Sequence, residues 1–214
     1  EAYQLKDFIS DGEKAEFKKL ISQLSSLYII DSGEGMTQNV IRDHWMTIGT
    51  DNKTTDVFTK TGRVKAGAKG IGRFALDKLG SKCELITVFN PDNHEPDTNE
   101  TGIPTKNSGY IWKVNWDDFE GEFKTIDKVN AELIGTETKT LREELIAQLP
   151  NLDLTEIGSE KKFDYGTILK ITGLRDTWED YFVDQVYSDL EVLVPPKESG
   201  GFEIFLYSSL MPQK

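Results

Sequence analysis

The apolar run Leu27-Tyr28-Ile29-Ile30 stops abruptly at Asp31-Ser32-Gly33-Glu34-Gly35. Four apolar residues bounded by turn formers read as a short buried strand, and two glycines in the next five residues prevent its continuation. The pattern recurs. Residues 84–89, 110–116 and 167–172 are rich in β-branched and aromatic side chains, and 202–207 reads as a last strand. Helical spacing lies between them. Phe17, Leu20, Ile21 and Leu24 share one face, and Thr37 is placed to N-cap a helix through about residue 46. Ile71, Phe74, Ala75 and Leu79 mark a helix stopped by Gly80 at C′, and Phe182, Val186, Leu190 and Leu193 form a stripe ending before Pro195. Strands that follow one another through hairpin-like gaps, interspersed with helices, give an α+β class.

A chain of 214 residues is long enough for one domain with a real core. Its formal net charge of −12 gives no overall nucleic-acid footprint, and the one strongly basic segment is Arg63, Lys65, Lys69, Arg73, Lys78 and Lys82. The single cysteine, Cys83, excludes an internal disulfide and fits a reducing, cytoplasmic setting; its place at the start of an apolar run makes it a strand residue. No apolar stretch approaches a membrane span. Residues 49–70 are polar with glycine and lysine and read as a long surface loop. Residues 91–108 read as a loop or hairpin connection. Residues 117–160 are charged and expected as an insertion, with a short helix near 141–149 that Pro150 ends.

Three glycine motifs carry the chemistry. In Asp31-Ser32-Gly33-Glu34-Gly35-Met36, an aspartate at a strand end can accept a hydrogen bond from an exocyclic amine, and the glycines let a flat base approach the backbone. The alternating oxygen ligands of a calcium loop are absent. In Gly67-Ala68-Lys69-Gly70-Ile71-Gly72-Arg73, glycines expose N–H groups at a helix start, where an anion is favoured, and Lys69 and Arg73 add positive charge. It is neither a Walker A loop nor a dinucleotide fingerprint. In Asp164-Tyr165-Gly166-Thr167, a Gly-Thr pair enters a strand and can set a hydroxyl beside Asp31. Each motif alone fits an ordinary turn; the order of the three is the specific signal.

That series resembles the GHKL ATPases, the group of gyrase, heat-shock chaperone ATPases, histidine kinases and mismatch-repair ATPases, over roughly residues 27–90 and 163–207. Ile48-Gly49-Thr50-Asp51-Asn52-Lys53 and Gly67–Ala75 are similar to the prokaryotic Microrchidia-like branch. The resemblance implies a Bergerat-type two-layer α/β sandwich over 1–207, with a mixed, mostly antiparallel sheet, helices on one face and an ATP lid at about 49–70. Residues 208–214 would begin a linker or a following domain. It implies ATP and Mg²⁺ as ligands. Asp31 would bind the adenine amine, supported by Thr167, while Gly33, Gly35 and Met36 line the base pocket. The loop Gly67, Lys69, Gly70, Ile71, Gly72, Arg73 would wrap the phosphates, with Lys53 assisting in the lid. It further implies nucleotide-dependent closure into a homodimer, an attached effector subunit or domain, and, for this branch, work such as antiphage defence.

The family's first motif, a glutamate that activates water and an asparagine that holds magnesium, is missing from this chain; both are expected upstream of Glu1. No catalytic residue is assigned here. A histidine-kinase phosphotransferase and a nucleotide-binding scaffold without turnover are the competing readings, and His44 is misplaced for a phospho-acceptor. His44 and His94 make no metal site. Asp117-Asp118 and Glu143-Glu144 read as solvated charges, and Trp112 and Trp116, four apart, as core residues sharing one strand face.

Overall fold

The computed structural model describes residues 10–45, 75–99, 101–119, 131–154, 163–193 and 203–209. Two compact units emerge: Glu1–Ser22 with Asp176–Lys214, and Gln23–Arg175.

In the first unit, helix α1 (Asp11–Leu24) starts at a capping box. Ser10 Oγ accepts the Glu13 N–H, while Glu13 Oε2 accepts from the Ser10 N–H at 2.8 Å and its hydroxyl at 2.6 Å. These bonds hold the Glu13 carboxyl below its usual pKa. The expected apolar face is present but open, with Phe17, Leu20, Ile21 and Leu24 all exposed. Helix α5 (Asp180–Leu193) buries Val183 and half-buries Val186 and Leu190. The expected stripe thus keeps Val186 and Leu190, but Val183 is buried at its start while Phe182 is exposed. Residues 203–209 form no strand; exposure alternates along them, but they pair with no described strand. Alternation makes a strand only when a neighbour supplies the ladder.

The second unit is an open sheet of β1 (Ser26–Asp31), β2 (Gly80–Val88), β3 (Gly109–Asn115), β4 (Glu132–Thr136) and β5 (Gly166–Leu174). The order is β1-β5-β2-β3-β4, and every pairing is antiparallel. Gly80 opens β2 in extended conformation, so the helix before it, α3 (Leu76–Leu79), ends without a left-handed cap. Leu76 is the buried residue of α3 and Ala75 is exposed, contrary to the expected face; Ile71 and Phe74 lie outside the described residues.

Period-two alternation separates the two sheet faces. One carries Leu27, Ile171, Cys83 and Val114, then Ile29, Leu169, Leu85 and Trp112, in successive cross-strand rows. Helix α2 (Gln38–Val40), N-capped by Thr37 as expected, continues as a π-helical turn (Ile41–Trp45). Trp45 from that turn meets Trp112 edge to face, with ring centroids 6.2 Å apart. Trp116 has left the strand for the 3-10 turn Trp116–Phe119, so the two tryptophans do not share a strand face.

The other face divides. Its upper half is apolar: Ile86, Val88 and Ile168 pack with Leu141 and Leu145 of helix α4 (Leu141–Gln148) and with Phe163. The charged stretch 117–160 thus supplies an edge strand, β4, that sequence reading missed, and a helix that completes a core. Glu143 and Glu144 sit at that helix's start, where Glu144 accepts from the Thr138 hydroxyl at 2.6 Å and Thr140 caps the Glu143 N–H. The lower half is a cross-strand row of alternating charge, Lys170, Glu84, Lys113 and Glu132. Lys113 lies 3.3 Å from Glu84, and the row floors an open cleft of about 510 Å³.

Leu145 is 1% exposed. Its truncation, Leu145→Ala, is expected to cost about 2–5 kcal/mol, read as a lower urea midpoint at unchanged m-value.

Candidate functional site

The apolar sheet face that carries Trp112 ends in a polar row. Asp31, Thr167, Thr87 and Tyr110 stand opposite one another on β1, β5, β2 and β3. The row exists because β5, late in the sequence, inserts between β1 and β2. It brings Asp31 and Thr167 face to face, as the sequence motifs imply.

Thr87 is the residue that sequence reading missed. Its hydroxyl donates to the Gly166 carbonyl at 2.9 Å and accepts the Met36 N–H at 2.9 Å. A hydroxyl carries one proton, so the 3.4 Å approach of Thr167 Oγ1 cannot also receive it. Any hydrogen bond between the two hydroxyls would have Thr167 as donor. Thr167 also bonds the Asp31 carboxyl, and that bond lowers the Asp31 pKa. The available signal was a lone polar residue inside Leu85-Ile86-Thr87-Val88-Phe89.

The loop after Asp31 is laid over the end of β2. Gly33 N–H donates to Asp31 Oδ1 at 2.9 Å, and Asn90 N–H donates to the Glu34 carbonyl at 2.9 Å. Gly35 has φ +68, and a Cβ there would lie 2.1 Å from the Val88 carbonyl oxygen, so only glycine fits. Gly166, at φ +136, likewise lets its backbone pass beside Asp31, where a Cβ would meet the Asp31 carbonyl at 2.1 Å. Glu34 accepts from the side-chain amides of Asn90 and Asn93. Asp31, Gly33, Gly35, Met36 and Thr167 thus gather at one sheet end. Lys53, Gly67, Lys69, Gly70, Ile71, Gly72 and Arg73 lie outside the described residues, as does Glu1.

Asp31 remains exposed on one side, yet protein packed around its carboxyl desolvates it. Desolvation is the largest influence and raises the pKa above its ordinary 3.8, outweighing the opposing bonds from Gly33 and Thr167. At the row's other end, burial first, and then Asp97, push the pKa of the Tyr110 phenol upward. The 510 Å³ cleft is on the opposite sheet face and contains none of these residues.

Residues 14–136 match the family described as histidine kinase-, DNA gyrase B-, and HSP90-like ATPase, more than half of the chain. The chain belongs to this family. ATP binding goes with that membership, and the five-stranded antiparallel sheet with helices is consistent with its α+β fold. The match ends before β5, whose Thr167 nevertheless stands between Asp31 and Thr87. No curated protein matches the chain. Among the described residues, no helix is long and apolar enough to cross a membrane.

Two outcomes follow. Thr87→Val, which strands the Met36 N–H and the Gly166 carbonyl, is expected to cost about 1–3 kcal/mol in denaturant melts. For Asp31, a pKa raised by folding means the folded state holds the proton more tightly. Stability is therefore lost as pH rises from about 3.8 through the raised value. Asp31→Asn, an uncharged mimic of the protonated acid, should melt higher than wild type at pH 7, with the gap closing toward pH 4.

Proposed function

We propose that Asp31 is the adenine-amine acceptor of an ATP site and that nucleotide turnover in the full-length protein drives lid closure and pairing of two copies. The observation that carries the first part is the state of the Asp31 carboxylate. Its bonds to Gly33 and Thr167 use only some of its roughly four lone-pair sites, and the residue is still exposed. A carboxylate so held offers an acceptor to an exocyclic amine and repels a carbonyl oxygen. Adenine is then preferred over guanine. Gly33 and Gly35 keep side-chain bulk off the base, and Met36, held through its N–H by Thr87, lies beside it.

The phosphates would fall to Gly67, Lys69, Gly70, Ile71, Gly72 and Arg73, at a helix start where exposed N–H groups and two cations favour an anion. Lys53 would contribute from the lid. Mg²⁺ enters with the phosphates. Among the described residues no group of three His, Cys, Asp or Glu could hold a metal ion. Hydrolysis, dimerisation and transmission to an effector rest on family membership.

The test is calorimetry with ATP, ADP and GTP, with and without Mg²⁺, on wild type and Asp31→Asn. Wild type should bind both adenine nucleotides, and GTP at least about tenfold more weakly because of the mismatched acceptor. Asp31→Asn should lose binding while staying folded, since the amide's NH2 opposes the base amine and its oxygen is engaged by Gly33. A folded Asp31→Asn protein that binds ATP like wild type would remove Asp31 from this role. Binding without phosphate release by the full-length protein would favour a scaffold over an ATPase.

A further inference from the structure

The loop 91–108, which the sequence offers only as turn formers, buries a carboxylate. Asp97 is 3% exposed, although acidic side chains are almost never fully buried without partners. Its partners are specific. Asp97 Oδ2 accepts the backbone N–H of Gln38 at 2.9 Å, the first residue of helix α2. The Tyr110 phenol also hydrogen-bonds Asp97, and Asn107 Nδ2 donates to that phenol oxygen at 3.4 Å. The loop is itself anchored: the Asp97 carbonyl accepts the Thr105 N–H at 2.8 Å, and Thr98 bridges Pro104.

Gln38 directly follows Met36 and Thr37. Thr37 is 5% exposed and caps the helix through Val40 N–H. The segment from Gly35 to Gln38 is thus pinned twice. Thr87 holds Met36 from the sheet, and Asp97 holds Gln38 from the loop. Tyr110 connects the two pins, because it stands beside Thr87 in the polar row and bonds Asp97. Nothing in the family match or the glycine motifs assigns Asp97 a part.

We propose that Asp97 is a positioning residue for nucleotide binding, fixing the segment from Gly35 to Gln38 so that the floor of the base pocket is set before ligand arrives. This inference rests on the reading of Asp31 and its loop as the adenine site. Asp97 acts through the Gln38 N–H and touches no ligand. Its contribution belongs to the base side, so its loss weakens ADP and ATP by the same factor.

The experiment titrates ADP and ATP into the full-length protein as wild type, Asp97→Ala, Asp97→Asn, Gln38→Pro and Asp31→Asn, each with a thermal melt. Asp97→Ala should weaken both nucleotides about tenfold, the worth of one buried hydrogen bond to a charged group. Asp97→Asn should recover most of that loss, because its amide oxygen still accepts the Gln38 N–H. Gln38→Pro covers the case in which Asp97→Ala does not fold. Proline is favoured at the first helical position, and Thr37 at φ −77, ψ 170 already has the conformation a following proline requires. It removes the N–H while leaving Asp97 in place and should reproduce the affinity loss.

Wild-type affinity in Asp97→Ala or in Gln38→Pro would overturn the proposal. So would a loss in Asp97→Asn as large as in Asp97→Ala, or a loss that differs between ADP and ATP. If wild type binds and Asp31→Asn does not, such a failure condemns the Asp97 inference alone. If wild type binds neither nucleotide, or Asp31→Asn binds as wild type does, the underlying reading of the site fails instead.

Discussion

Thr87 donates its only hydroxyl proton to the Gly166 carbonyl and takes the Met36 N–H in return. In that exchange three segments remote in sequence are brought to one point: the glycine loop after β1, the middle of the sheet, and the entry of β5. The Met36 N–H belongs to the loop after β1, and the Gly166 carbonyl to the first residue of β5. The Asp31 carboxylate is a dependent of this arrangement. Thr167, held between Thr87 and Asp31 in the same row, bonds the carboxyl from the strand that Thr87 anchors. The energetic logic is that of a buried polar network, in which every member must be satisfied for any to be affordable.

Much of the fold could be read from residues alone, wherever local chemistry decided the outcome. The strand ending at Asp31, the Thr37 cap, the helix beginning near Leu141 and the strand through Thr167 were all marked by caps, glycines or β-branched runs. What local pattern could not supply was partnership. Residues 131–136 gain strand identity only beside β3, and 203–209 alternate in exposure like a strand yet find no ladder. Trp116 shows the same limit from the other side: its four-residue spacing from Trp112 presumes a strand that β3 ends one residue earlier.

For the candidate site the division is similar. That Asp31 and Thr167 face each other was legible because Asp31 ends an apolar run two residues before Gly33, and Thr167 follows Gly166 where another run begins. Thr87 and Asp97 were not. One hides inside an apolar strand, and the other inside a loop whose composition suggests solvent. Both matter through backbone groups of distant residues, which no periodicity reports. The two sheet faces illustrate how burial sorts chemistry: one becomes apolar row by row until a single polar row closes it. The other trades an apolar half under α4 for a ladder of alternating charge exposed to water.

The central place of β5 has a consequence in time. The bonds that assemble the site join residues 51, 79 and 80 positions apart, so none can form from a local stretch of nascent chain. At a synthesis rate of about 5–20 residues per second, β1 and its loop wait on the order of ten seconds for the strand that completes them. Until then β1 and β2 each lack the neighbour that separates them and present open, hydrogen-bond-hungry edges. A premature pairing of β1 directly with β2 would leave β5 no place to enter. The order in which this chain is made thus runs against the order in which its sheet is built, and correct assembly depends on the two early strands remaining apart until the late one arrives.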